Sequence, residues 1–141
     1  MSLSKKEISI LIEIIFSVLF AVIFMPYFYE NRLNSFDIND NVGKIIQIAI
    51  FSSIYFSVAH SILEVTYKDK MIQDERDDLI SSKSYKLGYL LYELSLFLFI
   101  GILLSDSSFQ NSGSIIFIIL LLLLIVPFIK SVFQLYLYRT S

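Results

Sequence analysis

Four long apolar runs, residues 8–28, 43–66, 87–104 and 115–138, leave this chain few ways to fold. Each is close to the ~20 residues that an α-helix needs to cross a bilayer core. Hydrocarbon offers no water to the backbone, so a spanning segment must satisfy its own amides, and a helix does. The runs predict an all-α fold: a four-helix transmembrane bundle, one integral membrane domain over residues 1–141. Four spans and their connections use nearly all of the chain. That leaves no room for a soluble catalytic domain.

Only 17% of the residues are charged, where a soluble domain carries about a quarter. The net charge of −2 gives no electrostatic case for nucleic acid as a partner. The chain has one histidine and no cysteine, which removes disulfides, thiolate ligands and a thiol nucleophile. No metal and no cofactor are expected. Lys5 and Lys6 before an apolar run have the look of a signal peptide. The run is long, however, and leaves through Met25, Pro26, Tyr27, Phe28 and Tyr29 instead of small cleavage-site residues, so it reads as a retained span.

Short loops rich in Lys and Arg stay in the cytoplasm. Lys5, Lys6, Lys68, Lys70, Arg76, Lys83, Lys86 and Arg139 all fall on one side of a four-pass threading. The other side holds Arg32, with Lys44 at the start of span two, and the connection 105–114 has no basic residue. Both termini are therefore expected in the cytoplasm, with the chain in the cell (inner) membrane. The outer connections, 29–42 and 105–114, are rich in Asn, Asp and Ser, as turns are.

Polar residues inside spans are costly and usually face other helices or water. Gly43, Gln47, Ser53, Ser57, His60 and Glu64 share one face of span two. Ile50 interrupts that stripe, so its unbroken part is the cytoplasmic half. Span one carries Ser9, Glu13 and Ser17; span three carries Glu93; span four carries Pro127, Lys130, Gln134 and Tyr138. Glu13 and Glu93 lie about 8–9 Å in from the cytoplasmic ends of their spans. The expected polar cluster is thus Glu13, Ser57, His60, Glu64, Glu93, Lys130 and Gln134. It reads either as a satisfied packing cluster, as an ion or proton path, or as a surface between subunits. Pro127 is a kink that neighbours tolerate, or a hinge.

The connection 67–86 is expected to be a charged helix leading without a break into span three. Asp74 can cap it, with Glu75, Asp77 and Asp78 in its first turn, where the helix dipole favours acids. Asp74, Glu75 and Arg76, then Ile80, then Lys83, read as D-E-R-x-x-x-I-x-x-K. This box resembles one found before the third span in a group of small prokaryotic four-span membrane proteins of unknown function. In those proteins alanine often follows the lysine; here Ser84 does. The resemblance implies an architecture and a shared cytoplasmic contact face at Asp74, Glu75, Arg76 and Lys83, and no chemistry.

Ser57 and His60 lie on one turn of one helix, where a nucleophile and its base rarely align. No Gly-rich phosphate loop or H-E-x-x-H motif occurs. The chain reads as a non-catalytic multi-pass protein acting by interaction (an accessory, sensor, immunity or regulatory subunit) through its charged connection. The alternatives are a homo-oligomeric channel or pore-forming effector, and a proton-coupled carrier using Glu13, Glu93 and Lys130. The partners expected are the lipid bilayer, further copies of the chain, or a cytoplasmic or membrane protein.

Overall fold

The computed structural model describes residues 3–34, 38–67 and 75–140. The described residues form helices α1 (Lys5–Ile23), α2 (Met25–Glu30), α3 (Ile38–Thr66), α4 (Glu75–Ser105) and α5 (Ser112–Thr140). A 3₁₀ turn, Ser107–Gln110, joins α4 to α5. Asp74, with the rest of 68–74, lies outside the described residues.

Local chemistry sets where the helices begin and break. Ser4 caps α1 with a capping box: its hydroxyl accepts from the Glu7 amide at 3.2 Å, and its own amide donates to the Glu7 carboxylate at 2.8 Å. Pro26 has no amide to donate back along the helix, and the first apolar run breaks at Phe24, dividing α1 from α2. The Asn111 side chain caps α5 by accepting from the Ser114 amide at 2.8 Å. The helix α5 then runs unbroken past Pro127. The acids Glu75, Asp77 and Asp78 open α4, which continues for 31 residues, about 46 Å, with no break at the start of its apolar part.

Three of these helices, α3, α4 and α5, are long and apolar enough to cross a membrane. Helix α1 is shorter, with 19 residues, and its first turn is spent on Lys5, Lys6 and Glu7.

The helices lie in a row. In order of contact they run α3, α1, α5, α4, with α2 wedged between α1 and α5. Among the described residues no Cα of α3 comes within 8 Å of one in α4 or α5. The first and fifth helices are thus the middle of the molecule, and α3 and α4 are its edges. Phe20, Phe24, Met25 and Phe28 fill the middle, packed against Ile48 and Phe51 of α3 and Ile116, Phe117, Leu120 and Leu124 of α5.

Where α4 meets α5 the residues are small. Ser84 and Ser131 are each 1% exposed, and Gly88 lies against the methylenes of Lys130. Small residues four apart let helix backbones approach closely without side chains between them. The serine that follows the lysine of the D-E-R box is therefore a packing residue.

Side chains tie the two ends of the row. At one end Lys6 pairs with Asp77 at 2.5 Å, Arg139 lies 3.7 Å from Glu7, and Arg76 donates to the Tyr138 carbonyl at 3.0 Å. The Tyr67 hydroxyl donates to the Leu3 carbonyl at this same end. At the opposite end the Tyr27 hydroxyl donates to Asn41 at 2.5 Å, and the Ser114 hydroxyl donates to the Arg32 carbonyl at 2.9 Å.

Candidate functional site

The polar centre of the molecule is a contact between α1 and α5. The Ser131 hydroxyl donates to Glu13 Oε2 at 2.8 Å, and Lys130 Nζ lies 3.4 Å from the same oxygen. The serine bond is of ordinary length, while the lysine contact is longer than the 2.7–2.9 Å typical of a charge-assisted bond. Lys130 has a second neighbour: its ammonium lies 5.0 Å from the centre of the Tyr85 ring on α4. A cation over a ring face is attracted to it. The two ends of the pair are unequally covered, with side-chain exposures of 17% for Lys130 and 42% for Glu13.

The half-exposed Glu13 side chain borders a cavity. A groove of about 520 Å³ lies between α1, α3 and α5. Phe16, Phe20 and Phe56 wall it, Glu13 and Lys130 line it, and Ser17 and Ser52 add two hydroxyls. Those hydroxyls are turned to their own helices, donating to the carbonyls of Glu13 and Ile48. The groove exists because α3 leans on α1 alone. Phe16 of α1 meets Phe51, Tyr55 and Phe56 of α3 at centroid distances of 6.0, 5.3 and 4.7 Å, and the Tyr55 hydroxyl donates to the Ile12 carbonyl. These contacts hold α3 to α1 and leave a gap between α3 and α5.

The remaining residues of the expected cluster are elsewhere. Ser57, His60 and Glu64 are exposed on α3, on the side away from α1. The inward side of that helix is Ile48, Phe51, Ser52, Tyr55, Phe56, Ala59 and Leu63. His60 stacks on Phe56 at 6.1 Å, along its own helix. Glu93 is exposed on α4, within reach of the Tyr89 hydroxyl one turn earlier. Gln134 is half-buried on α5, one turn beyond Lys130. Of the expected cluster, then, Glu13 and Lys130 are in contact, Ser57, His60, Glu64 and Glu93 are dispersed along the outer faces of α3 and α4, and Gln134 stays on α5. The reason is the row: α3 and α4 never approach each other, so their polar groups cannot converge.

In the D-E-R box, Glu75 and Lys83 are exposed, while Arg76 is tied to the end of α5. Asp77, expected only as a first-turn acid, and Ser131, outside the expected cluster, both bond to α1. A late signal existed for each. Ser131 adjoins the one lysine of its span, and Asp77 has Lys6 as a base at the same end of the threading. Near the termini, the Ser4 amide bonded to Glu7 holds that carboxyl below its usual range. The Ser108 amide does the same for Asp106, which caps the 3₁₀ turn. Among the described residues no group of three or more His, Cys, Asp or Glu side chains is placed to hold a metal.

The chain was compared with protein-family models, curated proteins and solved structures, and none matches. The geometry therefore stands by itself. The protein is an all-helical chain with three helices suited to a membrane.

Proposed function

We propose that this chain is a non-catalytic, four-span inner-membrane protein that acts by assembling with further copies of itself, both termini lying in the cytoplasm. The observation that carries the proposal is the outward polar face of α3. Gln47, Ser53, Ser57, His60 and Glu64 are all exposed on a helix whose other outward residues, such as Ile50, Ile54 and Val58, suit lipid. Polar side chains within a span are costly toward lipid and usually face other helices or water. A second protein surface over this face removes that cost.

Charge favours a second copy as the cover. Glu64 lies at the edge of the row formed by α3. Lys83 and Lys86 are exposed on α4, the other edge, near the same end of the molecule. Placing α3 of one copy against α4 of the next sets acid against base. Such a head-to-tail contact repeats into a ring or an open array.

The fourth span is supported by the end-to-end ties. Helices α1 and α2 together run from Lys6, paired with Asp77, to Tyr27, bonded to Asn41 at the opposite end. Their combined length, about 39 Å, exceeds a ~30 Å hydrocarbon core. The bias of basic residues supports the orientation, since Lys5, Lys6, Arg76, Lys83 and Arg139 cluster at the end that carries both termini.

Two experiments test these readings. The chain has no cysteine, so single thiols can be introduced without background. A membrane-impermeant maleimide is expected to label Ser107→Cys in intact cells and Ser82→Cys only after lysis; the reverse pattern inverts the threading. Mass measurement in nanodiscs is expected to find an oligomer. Glu64→Lys should dissociate it, and adding Lys83→Glu and Lys86→Glu should restore it. A monomeric wild-type chain, or charge reversals without effect, refutes assembly through these edges. Currents across a planar bilayer that Ser57→Leu alters would reassign the assembly as a channel.

A further inference from the structure

The groove between α1, α3 and α5 has an unmet chemical demand. Glu13 Oε2 takes the bonds from Ser131 and Lys130, whereas Oε1 accepts none among the described residues. A second acceptor lies close by in sequence. Pro127 has no amide, so the carbonyl one turn earlier, at Leu123, lacks its helical donor. Leu123 and Pro127 both line the groove. The groove is therefore lined by a carboxylate with one oxygen unbonded among the described residues, and by the residue whose carbonyl Pro127 leaves without a helical donor.

Its walls point the same way. Phe16, Phe20 and Phe56 line the groove together with Glu13. Ring faces attract cations, and more strongly when water is excluded. Lys130 meets part of this demand, but its ammonium is shared with Tyr85 and its contact with Glu13 is long. A volume of about 520 Å³ falls within the range of small-molecule sites.

We infer that this groove binds a lipophilic cation: a positively charged centre carrying an apolar or aromatic body. The body fills the aromatic walls, and the positive centre sits by Glu13 Oε1 and the Leu123 carbonyl. The way in is sideways from the bilayer, through the gap that α3 and α5 leave between them. This site is independent of assembly through the outer edges of the row, since its lining comes from the inward side of α3.

The test uses tetraphenylphosphonium and tetraphenylborate, ions of nearly the same shape and opposite charge, with the purified full-length protein in detergent. Tetraphenylphosphonium should bind saturably and tetraphenylborate should not. Glu13→Gln, which keeps an acceptor for Ser131, should weaken cation binding at least about tenfold, because it removes the carboxylate charge that attracts the positive centre. Ser52→Trp, which fills the groove from α3, should weaken it as much without touching the ion pair. Glu93→Gln, on an outer face, should leave it unchanged. Circular dichroism and gel filtration confirm folding of each variant. Equal binding of the two ions, no saturable binding to the folded wild type, or full affinity in Ser52→Trp overturns the inference.

Discussion

Replacing Lys130 by leucine while Glu13 remains is expected to destabilise the protein by about 3 kcal/mol, because on the four-span reading it leaves a carboxylate in the membrane without its cation. The loss should show as a lowered midpoint of thermal unfolding in detergent. The double variant Glu13→Gln with Lys130→Leu is expected to recover most of it. Glutamine still accepts from the Ser131 hydroxyl, now 2.8 Å from Glu13 Oε2, and no net charge is left behind. Removing one member of an ion pair leaves the other charge without its partner, while replacing both leaves no charge behind. Ser131→Ala alone should cost about 1 kcal/mol, the value of one hydrogen bond. If Lys130→Leu and the double variant melt together, the pair is not the contact that joins α1 to α5.

Gly113→Val is expected to be comparably harmful, at about 3 kcal/mol, for a steric reason. A Cβ built on Gly113 would lie 2.5 Å from the Asn34 carbonyl oxygen, 2.7 Å from that of Asn31 and 2.8 Å from that of Arg32. Backbone, not a flexible side chain, is in the way, so α5 would have to move off the segment that follows α2. That movement would also break the bond from Ser114 to Arg32. Gly101→Ala is the control: nothing lies within 4 Å of its Cβ position, and alanine favours a helix over glycine by about 1 kcal/mol. Thermal melts of the two variants should move in opposite directions. A Gly113→Val protein as stable as wild type would mean that the chain at 31–34 does not lie on the start of α5.

How the positions of these elements relate to the sequence differs from one helix to the next. The apolar runs are legible because a spanning backbone must bond to itself, which demands length and apolarity that no other part of the chain has. Helix α1 was harder, since Pro26 splits the first run at Phe24 and its charged first turn shortens what remains. Which side of a helix faces inward was not legible. In a soluble protein the inward side is the apolar one. In lipid both sides are apolar, and α3 turns Ile48 and Leu63 inward but Ile54 and Val58 outward. Polarity was the only guide left, and it pointed Ser57, His60 and Glu64 toward neighbouring helices. In the single chain they face out. Glu13 and Lys130 were legible as partners because each is the ionisable group deep in its own span and both lie at one depth. Ser131 was not, because a serine beside a lysine carries no register; only the packing of α5 on α1 aims its hydroxyl at Glu13.

The pairing of α1 with α5 also governs when the molecule can form its centre. Glu13 and its partner Lys130 are 117 residues apart in the chain. At a synthesis rate of about 5–20 residues per second, roughly 6–23 s separate their appearance. During that interval a carboxylate sits in a nascent α1 with neither lysine nor hydroxyl from α5 to meet it, and α3 has only α1 to lean on. On the four-span reading, the half-made protein therefore carries Glu13 into the bilayer before Lys130 and Ser131, the two side chains that meet it in the finished molecule, have been made.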